Sequence, residues 1–291
     1  MVATVAPLIV IVGETASGKS DLAIQLAREF NGEIIAADSR TIYKDMDIGT
    51  AKPTLEDQQV VPHHLLSIIE PNQTYSAAQF KQDTLRLMDE ISSRGNIPIL
   101  VGGSGLYIDA VIFDYTFSEV DSKKRSELNN VSLEELQQKA RDIGIEETEL
   151  DFRNRRHLQR AVESGKVLKN KQQLRPNTLV IGLKLERAVL EHRIKLRVQK
   201  MIDDGLIEEV SKLGEKYGWD LEAMSGIGYR FFGEFIRGEI TLEDAKQKCI
   251  QGDLNLAKRQ RTWFKRNKYI QWIDSSDAAN TLVKTFLSRP E

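Results

Sequence analysis

The chain has 291 residues, of which 41% are hydrophobic and 29% charged, and its formal net charge is −2. This composition is typical of a globular protein with a substantial core, and the near-zero net charge does not by itself indicate a nucleic-acid partner. The single cysteine, Cys249, excludes disulfides and multi-cysteine zinc sites, and neither a membrane span nor a signal peptide is evident. We therefore expect a cytoplasmic protein.

The first predicted strand, 7–12, runs directly into a phosphate-binding loop. Residues 13–20 read Gly-Glu-Thr-Ala-Ser-Gly-Lys-Ser, a complete G-x-x-x-x-G-K-[ST] match, and an amphipathic helix follows. The glycines let backbone N–H groups point at a polyphosphate, the helix N-terminus and Lys19 add positive charge, and Ser20 offers a hydroxyl to Mg²⁺. The pattern predicts binding of a di- or triphosphate.

Strand and helix signals alternate through the rest of the first third. The predicted elements are a strand over 33–37, an extended piece over 65–69, a helix from Ser76 to about Arg94 and a strand over 97–101. This order predicts a parallel sheet with helices on both faces. Ligands gather at the carboxyl ends of the strands in such sheets, where the loop, Asp38 and Gly102–Gly105 should lie.

The character of the chain changes at about Phe117. Residues 119–151 carry ten acids against five bases, and residues 153–175 then carry eight Lys or Arg against one acid. We predict a helical insertion over 118–176, set in a catalytic core formed by 1–117 and 177–291. In that core, we expect a strand over 179–183 and helices at about 187–217, at 227–237 and from Thr241 onwards.

Asp38 and two arginines are candidate site residues, each with a simpler structural interpretation. A carboxylate at the end of the second strand can act as a general base or hold Mg²⁺ through water, but Asp38 and Ser39 are also good turn residues. Arg193 and Arg197 lie four residues apart on one helix face and either can reach a phosphate, although surface placement is the default. The metal-binding strand of an ordinary NTPase is not evident, because the strand over 97–101 ends in glycines and the other short strand ends in Asp38; this favours a small-molecule kinase or another diphosphate chemistry.

Two basic tracts indicate a polyanion, most simply nucleic-acid phosphates. A solvated helix face is the alternative for each tract, and we expect the interleaved Trp263 and Phe264 to be core residues. The tracts comprise Arg153, Arg155, Arg156, Arg160, Lys166, Lys169, Lys171 and Arg175, then Lys258, Arg259, Arg261, Lys265, Arg266 and Lys268.

Over nearly its whole length, the chain resembles the bacterial tRNA dimethylallyltransferases (tRNA isopentenyltransferases). The phosphate loop is shared with many enzymes, whereas the ordered set of motifs is specific. The segments that carry the resemblance are 13–20, Asp38–Tyr43, Met46–Pro53, Val61–Leu65, Tyr75–Phe80, Val101–Ile108, Asn154–Glu163, Gly226–Arg230 and Leu256–Phe264.

The resemblance implies that the N6 amine of the adenosine 3′-adjacent to the anticodon attacks dimethylallyl diphosphate and releases diphosphate. It implies Asp38 as the base, Arg197 on the leaving group beside Lys19 and Thr15, and Mg²⁺ near Ser20. The implied diphosphate cradle is Gly13, Thr15, Ala16, Ser17, Gly18, Lys19 and Ser20. The implied tRNA contacts are Asp38, Ser39, Arg40, Thr41, Ser104, Gln159, Arg160, Ala161, Val162, Glu163, Ser225, Gly226, Ile227, Gly228, Tyr229 and Arg230. We expect a monomer that binds the anticodon stem-loop, with the insertion gripping the RNA.

Two departures from the family pattern concern the site. Glu14 stands where the family usually has proline, which predicts a negative charge at the loop mouth and weaker diphosphate binding, and Thr41 replaces a commoner glutamine or leucine. Three other functions remain open at this stage: a phosphate-loop kinase, a cytokinin-type enzyme that prenylates free adenine nucleotides, and an NTP-regulated RNA-binding module without chemistry.

Overall fold

A computed structural model describes residues 5–117, 122–167 and 173–288 of the chain. The chain divides into two compact units, the first formed by Met1–Ile112 with Leu174–Glu291 and the second by Phe113–Gln173. The insertion was predicted at 118–176, and the second unit begins and ends slightly earlier than that. Lys169 and Lys171 of the first basic tract lie outside the described residues.

The described residues of the first unit contain a six-stranded, all-parallel sheet. Its strand order is β3-β2-β4-β1-β5-β6. The strands are β1 (Leu8–Gly13), β2 (Gly32–Ala37), β3 (His63–His64), β4 (Ile97–Gly102), β5 (Thr178–Leu183) and β6 (Ile270–Ile273). Helices flank this sheet, so the predicted α/β class is confirmed.

Twelve α-helices occur in the part of the chain that the structure describes. Those of the first unit are α1 (Lys19–Glu29), α2 (Leu55–Val60), α3 (Ala77–Ser93), α4 (Gly105–Ile112), α8 (Arg187–Asp203), α9 (Leu206–Tyr217), α10 (Ile227–Ile236), α11 (Leu242–Phe264) and α12 (Ser276–Leu287). Those of the second are α5 (Ser122–Asn129), α6 (Leu133–Asp142) and α7 (Arg155–Ser164). None of the described helices is long and apolar enough to cross a membrane.

The three central strands end at the same level, which brings three sequence motifs together. Every residue of β1 and β2 is buried, as expected for parallel strands covered on both faces. In the register, Gly102 of β4 pairs with Val12 of β1 and with Ala37 of β2. The residues that follow these strands, including the phosphate loop and Asp38, therefore lie at one carboxyl edge of the sheet.

Two predicted elements differ from the structure. The extended piece expected at 65–69 is wrong, because the edge strand is the preceding pair His63–His64. Leu65 and Ser67 have φ values of 62° and 51°, a left-handed conformation that ends the strand and turns the chain. The helical span at 187–217 is broken at Gly205, whose φ of 102° separates α8 from α9.

The second unit has its own small core. Leu136, Ala140, Leu158 and Val162 from α6 and α7 pack there with residues of the connecting loops. Arg155, which we counted in the basic tract, donates from Nη2 to the backbone carbonyls of Leu128, Asn129 and Val131 at the end of α5. Its charge is therefore used to cap a helix, as in other helix C-termini with a basic partner.

Candidate active site

A cavity of about 780 Å³ opens at the carboxyl edge of the sheet, within the first unit. Most of the predicted site residues of that unit line it, whereas Gly13 and Arg230 do not. The predicted residues in its wall are Thr15, Ala16, Ser17, Gly18, Lys19, Ser20, Asp38, Ser39, Arg40, Thr41, Ser104, Arg197, Ser225, Gly226, Ile227, Gly228 and Tyr229. The predicted contacts Gln159–Glu163 belong to the second unit.

The phosphate loop presents the N-terminus of α1 to this cavity. Gly18 has a φ of 91°, which an L side chain rarely adopts, and it forms the N-cap of α1 without a side-chain hydrogen bond. The first-turn N–H groups of a helix have no partner within the helix itself. Together with the helix dipole, they form a site for an anion.

Lys19 adds a positive charge, and the pKa of its ammonium group is lower than usual. Its ammonium group donates to the carbonyl oxygen of Glu14 at 2.6 Å. Burial, followed by the neighbouring charge of Arg197, lowers the pKa of Lys19 to about 8, against the opposing effect of the Asp38 and Glu14 carboxylates. A bound diphosphate would favour the charged form, because opposite charges stabilise one another at short range.

Two arginines of α8 face the phosphate loop. Arg197 donates from Nη1 to Oγ1 of Thr15 at 2.6 Å, and Arg193 donates from Nη1 to the carbonyl oxygen of Ser17 at 3.3 Å. The Nε of Arg197 and the Oγ of Ser17 are buried and have no hydrogen-bond partner in the protein. Buried donors without partners at the wall of a cavity indicate a place where a ligand supplies the acceptor.

Asp38 combines the two interpretations that the sequence left open. Its Oδ1 accepts from the backbone N–H of Arg40 at 2.8 Å, which is a turn contact, and the residue also lines the cavity. The N–H of Ser39 donates to Oγ of Ser104 at 3.2 Å, and the Arg40 guanidinium donates to Oγ of Ser225 at 3.2 Å. These bonds hold the carboxylate at a fixed place opposite the phosphate loop.

Gln260 of α11 is a site residue that we did not single out from the sequence. Its Oε1 accepts from the N–H of Thr15 at 2.7 Å, and its Nε2 donates to the carbonyl of Gly103 at 3.1 Å. A Cβ at Gly103 would lie 2.2 Å from Nε2 of Gln260, so a side chain there would displace this bridge. The only sequence signal for Gln260 was its place in the Leu256–Phe264 motif.

Asp253, also on α11, is a second residue that we missed. It is 7% exposed and lines the cavity, and burial raises the pKa of its carboxyl group while Arg197 opposes that rise. A helix pattern alone gave no reason to distinguish this aspartate from a surface acid.

Some residues of the second basic tract make contacts within the protein, and others are exposed at its surface. Arg261 forms an ion pair with Glu14, and Trp263 donates from its indole N–H to Oδ2 of Asp109 at 2.8 Å. Phe264 is 1% exposed, as expected for a core residue, whereas Trp263 is 36% exposed and differs from that expectation. Glu14, which the sequence predicted as a negative charge at the loop mouth, is buried and paired with Arg261, so its charge is balanced; the effect on diphosphate binding stays a prediction.

The carboxylate of Glu209 supports α10, which forms one wall of the cavity. Tyr229 is 1% exposed and donates its hydroxyl to Oε1 of Glu209 at 2.7 Å. The same carboxylate accepts from the backbone N–H groups of Asp47, Ile48 and Gly49, at distances of 2.8 to 3.0 Å. Glu209 therefore joins the 47–49 loop, α9 and α10 into one support for the cavity.

Comparisons with known proteins agree with this geometry. Residues 41–267 match the family described as IPP transferase. The chain is 41% identical over 282 residues to a tRNA dimethylallyltransferase of Anoxybacillus flavithermus, covering 93% of this chain and 91% of the relative. A similar protein of Staphylococcus saprophyticus with the same name is 37% identical, covering 95% and 94% of the two chains.

Solved structures give the same result. A full-length tRNA isopentenylpyrophosphate transferase of Bacillus halodurans is 36% identical, with a TM-score of 0.75 and coverage of 98% and 96%. A eukaryotic dimethylallyltransferase, described as acting on tRNA, is 26% identical, with a TM-score of 0.84 and coverage of 98% and 81%. The chain belongs to the IPP transferase family.

Proposed function

We propose that this protein transfers the dimethylallyl group from dimethylallyl diphosphate to N6 of the adenosine 3′-adjacent to the anticodon in tRNA, releasing diphosphate. One observation carries the proposal: a single cavity joins a helix-start anion site, with Lys19 and Arg197 beside it, to the carboxylate of Asp38. The names of the related proteins, and the solved relative that acts on tRNA, support the reaction.

The anion site serves the leaving group. As the C1–O bond of the donor breaks, negative charge develops on the diphosphate, and the N–H groups at the start of α1 stabilise it together with Lys19 and Arg197. Thr15 holds Arg197 in place through a hydrogen bond of 2.6 Å between Oγ1 and Nη1. Fixed donors of this kind cost no reorganisation during the reaction, which is why they suit an allylic diphosphate that ionises readily.

Asp38 serves the nucleophile. The exocyclic amine of adenine is a weak nucleophile, and its proton must leave as the new N6–C1 bond forms. The Oδ1 of Asp38 is engaged by Arg40, and the carboxylate can accept that proton on its other oxygen. The electron pair of the broken C1–O bond leaves with diphosphate, so the step needs no oxidant or reductant.

The RNA contacts divide between the two units. In the first unit, we propose that the anticodon loop contacts residues that line the cavity, namely Asp38–Thr41, Ser104 and 225–229. In the second, Ala161, Val162 and Glu163 are buried, so their side chains are poor candidates for contact with RNA. Gln159 and the exposed Arg160 are the residues of that segment that we retain.

A magnesium ion fits this site only with help from the substrate. No group of three or more His, Cys, Asp or Glu residues that could hold a metal exists in 5–117, 122–167 and 173–288. Ser20 offers a hydroxyl at the cavity wall, and Mg²⁺ is commonly held by substrate phosphates with few protein ligands. Bound there, the ion would neutralise part of the diphosphate charge. The Mg²⁺ requirement, the monomeric state and the cytoplasmic location stay predictions.

The test is transfer of label from radiolabelled dimethylallyl diphosphate to unmodified tRNA, with AMP as the competing acceptor and ATP turnover measured in parallel. Label in tRNA, mapped by digestion to the nucleoside next to the anticodon, is the expected result. Label in AMP would instead identify a cytokinin-type enzyme, ATP turnover would identify a kinase, and no transfer with retained RNA binding would identify a binding module.

A further inference from the structure

Glu14 is a buried acid of the phosphate loop, next in sequence to the loop residues that line the cavity. It is the second residue of the phosphate loop, is 8% exposed, and its own carbonyl oxygen accepts from the ammonium group of Lys19 at 2.6 Å. An unpaired carboxylate at this position would repel a diphosphate held by the same loop. The loop can serve as an anion site only if that charge is balanced.

Arg261 supplies the balance. Its Nε donates to Oε1 of Glu14 and its Nη2 donates to Oε2 at 2.9 Å, a two-point contact that fixes the carboxylate in direction as well as in charge. The preceding residue, Gln260, accepts from the N–H of Thr15 at 2.7 Å. Two consecutive residues of α11 therefore hold two consecutive residues of the loop. Arg261 binds the carboxylate of Glu14, and Gln260 binds the backbone N–H of Thr15.

We propose that Arg261 is a positioning residue that sets the affinity of the phosphate loop for the donor diphosphate by neutralising Glu14. This role separates Arg261 from its neighbours in the basic tract: Lys258, Lys265 and Arg266 are exposed, whereas Arg261 is partly buried against the loop. The inference rests on the proposed function in one respect, that diphosphate is the ligand of the loop.

The experiment is a double-mutant cycle read by calorimetry with inorganic diphosphate, in magnesium-containing buffer at one pH. Arg261→Ala leaves the Glu14 charge unbalanced, and we expect diphosphate affinity to fall at least about tenfold. Adding Glu14→Gln to Arg261→Ala removes that charge, and we expect affinity to return to within about threefold of the wild type. Lys265→Ala, which removes the same charge from an exposed position one helical turn away, should leave diphosphate affinity unchanged.

Three outcomes would overturn the proposal: unchanged diphosphate affinity in Arg261→Ala, no recovery in the double variant, or wild-type protein that does not bind diphosphate. If both variants lose affinity through misfolding, Glu14→Gln with Arg261→Gln keeps a neutral hydrogen-bonded pair and must recover binding. Because the readout is diphosphate binding, a chain that binds diphosphate normally but prenylates no tRNA would contradict the proposed function while leaving this test intact.

Discussion

At the scale of single residues, the site depends on the different tasks of two charged groups. Asp38 has one oxygen in a turn and lines the cavity, whereas Lys19 is held beside the loop with a lowered pKa. The two interact through their charges, because Asp38 raises the pKa of Lys19. Each can be tested separately, since one acts on the nucleophile and the other on the leaving group.

Asp38→Asn should abolish most turnover while leaving tRNA affinity nearly intact. The amide oxygen can still accept from the N–H of Arg40, so the turn is preserved, but an amide cannot take the proton of the amine. We expect kcat to fall by about 10²–10⁴-fold. Single-turnover transfer and filter binding of tRNA measure the two quantities, and near-normal turnover would show that Asp38 is not the base.

The affinity for an organic diphosphate should fall as pH rises through about 8. Below that value, Lys19 is already protonated; above it, binding must first add a proton, because burial and Arg197 hold its pKa at about 8. A non-reactive thio analogue of dimethylallyl diphosphate suits calorimetry from about pH 7 to 9.5, since the last ionisation of a phosphate ester lies near pH 6.

Lys19→Arg is the matched variant for this profile. Arginine stays charged throughout this pH range. The Lys19→Arg variant should therefore bind the diphosphate analogue more weakly than the wild type, but with an affinity that does not depend on pH. A wild-type affinity that does not change between about pH 7 and 9.5 would contradict the role given to Lys19.

At the scale of elements, α7 shows how one basic tract divides into residues of different use. Leu158, Ala161 and Val162 recur on the buried face, as the helical period requires. Arg156 and Arg160 are exposed, four residues apart, whereas Arg155 is committed to the carbonyls at the end of α5. The sequence predicted all three arginines as contacts for a polyanion. Their contacts in the structure leave that role to Arg156 and Arg160 and give Arg155 a structural one.

Replacing Arg156 and Arg160 with alanine should weaken tRNA binding and reduce its salt dependence. Each lost phosphate contact lowers the slope of log K against log salt by about 0.7–0.9. Filter binding at several salt concentrations measures this slope, and an unchanged value would mean that this helix face is merely solvated.

Arg155→Ala removes the same charge from the same helix and is the comparison for that double variant. Because Arg155 donates to three carbonyls, we expect its loss to destabilise the second unit by about 1–3 kcal/mol, as measured by thermal unfolding. At a temperature where the variant is folded, its salt slope should match that of the wild type. A reduced slope with unchanged stability would return Arg155 to the RNA-binding surface.

At the scale of the whole molecule, one buried acid joins parts of the sheet that are distant in sequence. Glu33 in β2 accepts from Arg94 after α3, from Asn96 before β4, and its Oε2 lies 2.7 Å from Nε2 of His64 in β3. Burial alone would raise the pKa of Glu33, but these hydrogen bonds outweigh it and hold the pKa at about 2. The charged carboxylate is therefore favoured by folding.

This arrangement predicts how stability depends on pH. An unfolded glutamate has a pKa of about 4.3, so the contribution of Glu33 is present above that value and is lost as pH falls towards 2. Glu33→Gln should lower the free energy of unfolding at pH 7 by about 2 kcal/mol and make it less sensitive to acid. Urea unfolding at several pH values measures both effects, and an equal acid dependence in the two proteins would contradict this account.

The sequence by itself determined the elements whose signals are local. The phosphate loop, the Ser76 cap of α3 and the apolar strands β1, β2 and β4 follow from short-range geometry and from burial, and placing Asp38 after β2 was sufficient to bring it to the loop. The motif resemblance added the family. Two elements near the end of the chain, β6 and α12, were not predicted. The four residues of β6 are too few for a clear periodic signal, whereas α12 has a helical apolar pattern and a Ser275 cap that we did not single out.

Only the tertiary structure decided the partners of charged side chains. Whether an arginine meets water, a carbonyl or a carboxylate depends on the packing of α11 and α8 against residues that are more than 150 positions away in sequence. Asp253 was therefore not predicted as a site residue, Gln260 was marked only by its motif, and Arg261 was predicted as part of a basic tract and not as the partner of Glu14, although all three lie on a helix that was correctly predicted. Local patterns set the backbone, whereas long-range packing sets the electrostatics on which the chemistry depends.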